Sequence, residues 1–301
     1  MNWINHIQNC IDYIENHLTD KIDYKVLEKH ECFSFYNIQK AFSLICGISI
    51  GEYVRKRRLT LAGNDLKNKK NKVIDVALKY EYDTPESFSR AFKSFHGISP
   101  SKVNDFSVLN SFSRLNVKLE LSESPELSYE IKELPQIKLV GYKKRFTGIP
   151  YGKERDNQER EFFTTTRAKQ WLLLGASCDY STDYMVINNV YDDGYDCYVA
   201  YELDEPTISD LFNPEVTGVD FIGKMNFEII TIPAHKYASF KTEKKKRPVA
   251  DYGALRKNIV NEWLITHNVA FSNTPEIVKF HWRPNGEWSK ERYIEILIPI
   301  E

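Results

Sequence analysis

The sequence predicts two domains: an all-α domain built from two similar helix pairs, then an α+β domain of two βαββ-like repeats with a central cleft. Two internal repeats and a change of hydrophobic period support this fold class. One repeat has a spacing of 50 residues in the first third of the chain, and the other has a spacing of 98 residues in the remainder. Helical spacing of apolar residues gives way to alternating, β-type patterns beyond about residue 127. With 301 residues, each domain is long enough to bury its own core.

The first repeat aligns SFYNIQKAFSLICGIS (residues 34–49) with TPESFSRAFKSFHGIS (residues 84–99). Each copy places apolar residues at i, i+3, i+4 and i+7, and a further helical stretch at residues 73–80 precedes a turn with Thr84 as N-cap and Pro85 as first helical residue. These units predict a double helix-turn-helix. A single copy also fits an αα-hairpin packed in a core, but two copies at fixed spacing with polar outer faces favour nucleic-acid binding.

The first third of the chain resembles the DNA-binding domain of AraC/XylS-type bacterial transcription regulators. The residues that carry the resemblance are IDVA at 74–77, SFSRAFK at 87–93 and GISP at 97–100, with EYVRKRRL at 52–59 opening a long central helix. This family usually has Gly in the turn of each motif, where this chain has Cys32 and Glu81, and Glu28 replaces a small Ala. Because Gly favours positive φ, we expect strained turns or a different local backbone there. The resemblance implies a DNA-binding domain at residues 1–107.

Helix phase and the resemblance together identify candidate DNA contacts. The apolar stripes face inward, which leaves two outward sets: Tyr36, Asn37, Gln39 and Lys40 in the first motif, and Glu86, Ser87, Ser89 and Arg90 in the second. By the resemblance, Tyr36, Gln39 and Lys40 read bases, and Gln is suited to adenine. Contact with phosphate or solvent is the alternative for each of them. Residues 1–107 hold 16 Lys and Arg against 13 Asp and Glu, so we expect a local grip on double-stranded DNA.

Residues 108–126 are polar and predict a linker, with one strand at 116–121. Beyond it, YEIKELPQIKLVGYKKR (129–145) aligns with FEIITIPAHKYASFKTE (227–243), which places Pro135 over Pro233. Each strand pair leads into a helix, one with Trp171 and one with Trp263, and then into two more strands. Residues 127–301 therefore predict two βαββ-like units related by a pseudo-twofold, with a cleft between them.

This second part resembles the GyrI-like effector-binding domain. The carriers are residues 129–131 (YEI), 140–142 (VGY) and 293–299 (YIEILIP). The resemblance implies a cleft for small, hydrophobic and often cationic molecules, with a carboxylate on the last strand at its floor, which here is Glu295. Strand alternation turns Glu295 away from an isoleucine face that we expect to pack on the helices, and the repeat aligns it with Ala200. The candidate aromatic walls, each of which also fits a core position, are Tyr142, Phe146, Trp171, Tyr237, Trp282 and Tyr293.

Three functions agree with these patterns. The leading one is a sequence-specific transcription regulator, not an enzyme, that responds to a small effector. A small-molecule hydrolase is the second, in which Glu295 and Tyr293 or Tyr142 form an acid–base pair. The third is a constitutive DNA-binding protein whose second domain contacts RNA polymerase or another protein. Five scattered Cys and seven His without ligand spacing predict no metal or cofactor, and the lack of a basic leader or a long apolar run predicts a cytoplasmic protein.

Overall fold

The computed structural model describes residues 3–31, 33–68, 71–117, 127–152, 154–191, 193–264, 267, 272–283 and 291–301. It divides the chain into two compact units, Met1–Leu121 and Ser122–Glu301. The described part of the first unit is helical, and that of the second combines one antiparallel sheet with helices. The predicted fold class is confirmed.

Two helix-turn-helix pairs flank one long helix in the first unit. The pairs are α2–α3 and α5–α6, and α4 between them has 18 residues, which corresponds to about 27 Å. The helices are α1 Trp3–Asn16, α2 Tyr24–Glu31, α3 Phe35–Cys46, α4 Ile50–Lys67, α5 Val73–Lys79 and α6 Pro85–His96, followed by a 3₁₀ turn at Pro100–Lys102.

The repeat of 50 residues is visible in the helix ends. Ser34 and Thr84 cap the N-termini of α3 and α6. Each side chain accepts a hydrogen bond from the backbone N–H of the residue three positions later, Asn37 or Ser87. Gly47 and Gly97 end the same helices at φ of +73° and +79°. A glycine is favoured there because any Cβ is strained at positive φ. The short motifs around these residues therefore fix both ends of each recognition helix.

Two of the three departures from the family pattern have local explanations. Glu81 adopts φ +61°, the left-handed conformation for which the family uses Gly. The Glu28 carboxylate accepts a hydrogen bond of 2.7 Å from the Phe35 N–H, so the longer side chain satisfies a donor at the start of α3. Cys32 lies outside the described residues. The expected backbone strain is confirmed at Glu81.

Glu81→Gly should stabilise the first unit by about 0.5–1 kcal/mol, because it removes a Cβ from a left-handed residue. Chemical unfolding measures the change. Glu81→Ala is the control, since it removes the charge and keeps the Cβ, and its stability should stay within about 0.5 kcal/mol of the parent. Equal stabilisation by both variants would trace the effect to charge and contradict the strain.

An extended segment at residues 108–117, here called the strap, packs along the first unit. The Arg57 guanidinium donates to the Phe112 carbonyl at 2.6 Å, and the Phe112 N–H donates to the Thr60 hydroxyl at 2.9 Å. Gly63 gives the strap room, because a Cβ there would lie 3.0 Å from both His96 and Leu109. Three more hydrogen bonds tie the strap to α6, α4 and α1: Asn110 to the Phe95 carbonyl, the Leu115 N–H to Tyr53, and the Val117 N–H to Gln8.

The strap occupies much of the segment predicted as a linker. Residues 116 and 117 form no strand, and the rest of the predicted strand at 116–121 lies outside the described residues. The domain boundaries at 107 and 127 remain predictions. Within the first unit, the strap connects α6 of the second helix-turn-helix pair to α4 and α1.

Arg57 is the anchor of the strap, and it also forms a bidentate ion pair with Glu15, with both N–O distances 2.8 Å. Burial alone would raise the pKa of Glu15, but hydrogen bonds from Arg57 and Tyr53 outweigh burial and hold that pKa below its usual value. The two side chains are only 12% and 11% exposed. Loss of Arg57 would therefore leave a largely buried carboxylate without its cation.

Arg57→Ala should lower the free energy of unfolding of the first unit by about 3 kcal/mol. Arg114→Ala is the matched control, because it removes a strap cation whose pair with Asp12 has both side chains 46% exposed. Its cost should stay below about 1 kcal/mol. Urea unfolding of both variants checks the difference, and equal costs would contradict the anchoring role of Arg57.

The second unit is built on one eight-stranded antiparallel sheet with the order β1-β6-β8-β7-β3-β4-β2-β5. The counterparts in the two halves are β1 and β5, β2 and β6, β3 and β7, and β4 and β8. If the order is read backwards and each strand is replaced by its counterpart, the same order results. A pseudo-twofold axis therefore passes between β3 and β7. The first strand of each half pairs with the second strand of the other. The strands are β1 Tyr129–Leu134, β2 Ile137–Thr147, β3 Thr182–Val190, β4 Gly194–Glu202, β5 Glu228–Ile232, β6 His235–Lys241, β7 Glu276–His281 and β8 Tyr293–Pro299.

Helices from both halves cover one face of this sheet. Phe163 of α7 and Tyr252 of α12 both make edge contacts with Phe280, which lies opposite Ile294 in the β7–β8 register. The isoleucine face of β8 therefore packs under the helices, as predicted. The helices are α7 Arg155–Thr165, α8 Arg167–Ala176, α9 Glu205–Leu211, α10 Pro214–Thr217, α11 Phe221–Met225 and α12 Val249–Asn258, the last continuing as a π-helical turn at Ile259–Trp263.

The registers correct one feature of the predicted repeat. Lys143 lies opposite Tyr198, and its counterpart Lys241 lies opposite Glu295. The counterpart of Glu295 is therefore Tyr198 and not Ala200, because β4 and β8 are related by a shift of 97 residues while β2 and β6 keep 98. Glu295 still has no acidic counterpart.

Candidate functional sites

The polar faces of α3 and α6 carry the predicted DNA contacts. Glu86 and Arg90 are exposed, while Ser87 and Ser89 are half-buried. The Ser87 hydroxyl donates to the Thr84 carbonyl at 2.8 Å and thus also stabilises the start of α6. The half-buried predicted contacts of α3 are Tyr36, Gln39 and Lys40.

Asn37 does not share that surface. Its side chain is 4% exposed, and its carbonyl oxygen is buried with no hydrogen-bond partner among the described residues. The expected outward position of Asn37 is corrected, because α3 turns it toward the interior with Ile38. Lys40 lies with its Nζ 5.8 Å from the Tyr36 ring centroid, which holds a cation beside an aromatic ring on the face of α3.

A cleft of about 730 Å³ lies in the second unit, on the helix-bearing face of the sheet. Its walls come from α7 and α8 on one side and α12 on the other, and its floor comes from β3, β4 and β7. Apolar and aromatic side chains dominate the lining, as is usual for a small-molecule site. The apolar and aromatic lining residues are Phe163, Trp171, Leu174, Tyr201, Val249, Ala250, Tyr252, Phe280 and Trp282.

Asp183 of β3 is the carboxylate on the cleft floor. It is 9% exposed, and its Oδ1 lies 3.2 Å from the Arg283 guanidinium. Burial raises the pKa of Asp183 to about 6; Arg283 and Trp282 act in the opposite direction, and Asp179 adds to the rise. The carboxylate is therefore charged at neutral pH and loses that charge in mildly acidic solution.

A buried arginine joins the two halves beneath the cleft. Arg155 of α7 has no exposed side-chain surface and pairs with both Glu159 and Glu276 of β7. It also donates to the Tyr252 hydroxyl of α12 at 2.8 Å and to the Pro150 carbonyl at 2.7 Å. A buried guanidinium with this many acceptors fixes the elements that hold them. The two walls of the cleft are thus tied to one another and to the floor.

The predicted effector residues fall into two groups. Trp171, which is 71% exposed, and Trp282 line the cleft. Tyr142 and Phe146 are buried on the helix-bearing face without lining it, and the Tyr142 hydroxyl donates to the Thr166 hydroxyl at 2.9 Å. Tyr237, Tyr293 and Glu295 lie on the opposite face of the sheet, where Tyr237 belongs to a buried apolar cluster with Leu297.

Glu295 forms a compact ionic cluster on that opposite face. Lys132 and Ser239 each donate to its Oε1 at 2.6 Å, and the His281 Nε2 lies 3.5 Å from its Oε2. Burial alone would raise the pKa of Glu295, but hydrogen bonds from His281, Lys132 and Ser239 lower it well below its usual range. Glu295 thus lies on the face of the sheet opposite to the cleft between α7, α8 and α12, and its role as the effector anchor stays a prediction.

Sequence reasoning missed the charged groups that surround the cleft. Asp183 and Arg283 lie 100 residues apart and meet only through the pairing of β3 with β7. One local signal was available: Arg155 and Glu159 have the i, i+4 spacing of a helical ion pair. That spacing is common on helix surfaces, so it does not by itself reveal a buried pair.

No helix in the parts of the chain that the structure describes is both long enough and apolar enough to cross a membrane. Among known proteins, residues 28–105 match a helix-turn-helix domain family, and residues 130–300 match the family described as integron-associated effector binding protein. The second match covers more than half of the chain.

Named relatives cover the helical region. The HTH-type transcriptional activator AarP of Providencia stuartii is 37% identical over 95 residues, which are 32% of this chain and 70% of AarP. The regulatory protein SoxS of Salmonella typhimurium is 30% identical over 95 residues, 32% of this chain and 89% of SoxS. A solved structure of SAV2435 bound to tetraphenylphosphonium aligns with 58% of this chain and 94% of its own, at a TM-score of 0.43 and 15% identity.

The double helix-turn-helix and the sheet with its cleft thus correspond to two known modules in one chain. The chain belongs to the integron-associated effector binding protein family and is an AraC-type helix-turn-helix transcription regulator with a GyrI-like effector-binding domain.

Proposed function

We propose that the cleft on the helix-bearing face is the effector site, and that its effector is a lipophilic, aromatic cation. The observation that carries this proposal is a buried carboxylate, Asp183, on the floor of a cleft with aromatic walls. A charged carboxylate in such surroundings attracts a cation, and the faces of Trp171 and Trp282 add cation–π attraction. The tetraphenylphosphonium in the SAV2435 structure suggests the first cation to try.

We also propose that α3 and α6 contact two adjacent major-groove segments of DNA through Tyr36, Gln39, Lys40, Glu86, Ser87, Ser89 and Arg90. Arg90 is exposed on α6, and α4 between the two pairs has a length of the order of one DNA turn. Contact of the bound regulator with RNA polymerase remains a further prediction.

The hydrolase alternative is less well supported. Tyr142 and Glu295 lie on opposite faces of the sheet, so they cannot share a proton through one site. Tyr293 shares the face of Glu295, but the carboxylate is already held by Lys132 and Ser239. The named relatives are transcription regulators.

Arg90→Ala and Lys40→Ala should each weaken binding to a selected DNA duplex by about 1–3 kcal/mol if they reach base edges. Affinity should also fall steeply with salt, because phosphate contacts release counterions. Arg114→Ala removes a charge from the strap without changing α3 or α6, and should leave affinity nearly unchanged. Fluorescence anisotropy measures all three variants, and equal losses would indicate a general charge effect.

Asp183→Asn should weaken tetraphenylphosphonium binding at least tenfold, because it removes the charge and keeps the shape. Tetraphenylborate, the anion of similar size and shape, should not bind more weakly to this variant. Wild-type affinity for the cation should fall as the pH drops below about 6, where Asp183 gains a proton. Calorimetric titration measures both ligands.

Glu295→Gln is the competing variant, because it makes the same change of acid to amide on the other face of the sheet. Cation affinity should persist in Glu295→Gln and be lost in Asp183→Asn. The reverse result would place the effector beside Glu295 and contradict the cleft.

A further inference from the structure

The Asp183 carboxylate has a cation beside it on the floor of the cleft. The Arg283 Nη2 lies 3.2 Å from the Asp183 Oδ1, and both side chains are 13% exposed. The Nε of the same guanidinium donates to the Tyr180 carbonyl, and the Arg283 N–H lies 3.4 Å from the Ser181 carbonyl. The arginine is thus attached to the start of β3 by contacts that are independent of Asp183.

The other carboxylates in the described lining are also paired with arginines. Glu159 contacts Arg155, and Asp156 contacts Arg256. Arg155 is fully buried and also binds Glu276, Tyr252 and the Pro150 carbonyl, so it cannot leave without exposing several buried acceptors. The Arg283 guanidinium lies 3.2 Å from the Asp183 Oδ1 at the edge of the floor. This pair can open without disturbing the buried acceptors that Arg155 holds.

A cation that approaches Asp183 in the cleft therefore meets an ion pair and not a free carboxylate. It gains the attraction of Asp183 only by displacing the guanidinium, so the loss of that ion pair offsets part of the electrostatic gain. The remaining free energy must come from apolar contact. Phe280 and Trp282 stack with their ring centroids 5.5 Å apart beside this pair, and together they offer an extended aromatic surface.

We propose that Arg283 is a built-in counter-ion that determines the specificity of the cleft. It neutralises Asp183 and turns outward about its bond to the Tyr180 carbonyl when a ligand cation takes its place. Only cations with a large apolar surface gain enough free energy from apolar contact to offset the loss of the ion pair. Small hydrophilic cations are therefore rejected. This inference rests on the effector site proposed above.

The test is Arg283→Gln in the full chain, titrated with tetraphenylphosphonium, tetramethylammonium and tetraphenylborate. Tetraphenylphosphonium affinity should rise about tenfold, because the ligand no longer competes with a resident charge. Tetramethylammonium should bind the wild type weakly and should gain at least as much in this variant. Tetraphenylborate affinity should not rise.

Arg167→Gln is the matched control, since it removes an exposed arginine of α8 that does not line the cleft. It should change each affinity less than about threefold, the size of a screened surface effect. An equal gain in this control would assign the effect to overall charge and overturn the inference. In Arg283→Gln combined with Asp183→Asn, the gain should disappear, and a gain that persists would also overturn it.

The results separate this inference from the proposed site. If Asp183→Asn abolishes cation binding while Arg283→Gln leaves it unchanged or weaker, the effector site stands and the counter-ion role is wrong. If no cation binds either the wild type or Arg283→Gln, both the proposed site and the counter-ion role are wrong. The same follows if Asp183→Asn leaves cation affinity unchanged. Thermal unfolding of each variant establishes that it is folded before titration.

Discussion

The buried Arg155 guanidinium is the interaction on which the effector domain depends. It lies where α7, α12 and β7 meet, and its partners Glu159, Glu276 and Tyr252 come from both halves of the pseudo-twofold. Removing any one of them would leave buried charge or a buried donor unpaired. Because the first strands of the two halves are exchanged across the sheet, the halves cannot separate to make room for a ligand. The cleft is therefore a fixed space between helices, and adaptation to a ligand falls to side chains at its edge.

The repeats made the architecture predictable from the sequence, because a fixed offset places equivalent helices or strands at equivalent positions. The 50-residue offset carried the caps Ser34 and Thr84 and the terminating Gly47 and Gly97. Strand alternation correctly turned Glu295 away from the isoleucine face. It did not reveal on which face the cleft lies, since that depends on how the helices cross the sheet. Asp183 and Arg283 meet only through strand pairing, which leaves no trace in local sequence.

The DNA-binding unit shows a similar division between local and long-range information. The positive φ at Glu81 followed from a single departure from the family pattern. The burial of Asn37 did not, because helical phase near the edge of an apolar stripe leaves such a residue undecided. The strap was also missed, because its backbone is held by side chains of α1 and α4 that lie far away in the chain. It extends the structural unit beyond the recognised motifs.

In a regulator of this kind, ligand binding in the cleft must change the free energy of DNA binding. The most direct measurement is the affinity of the full chain for a selected DNA duplex, with and without saturating tetraphenylphosphonium, together with cation affinity with and without that duplex. We expect a change within about 5–150-fold, and linkage requires the same factor in both titrations. Two unchanged affinities would contradict it, because the cleft would then bind its ligand without any effect on DNA.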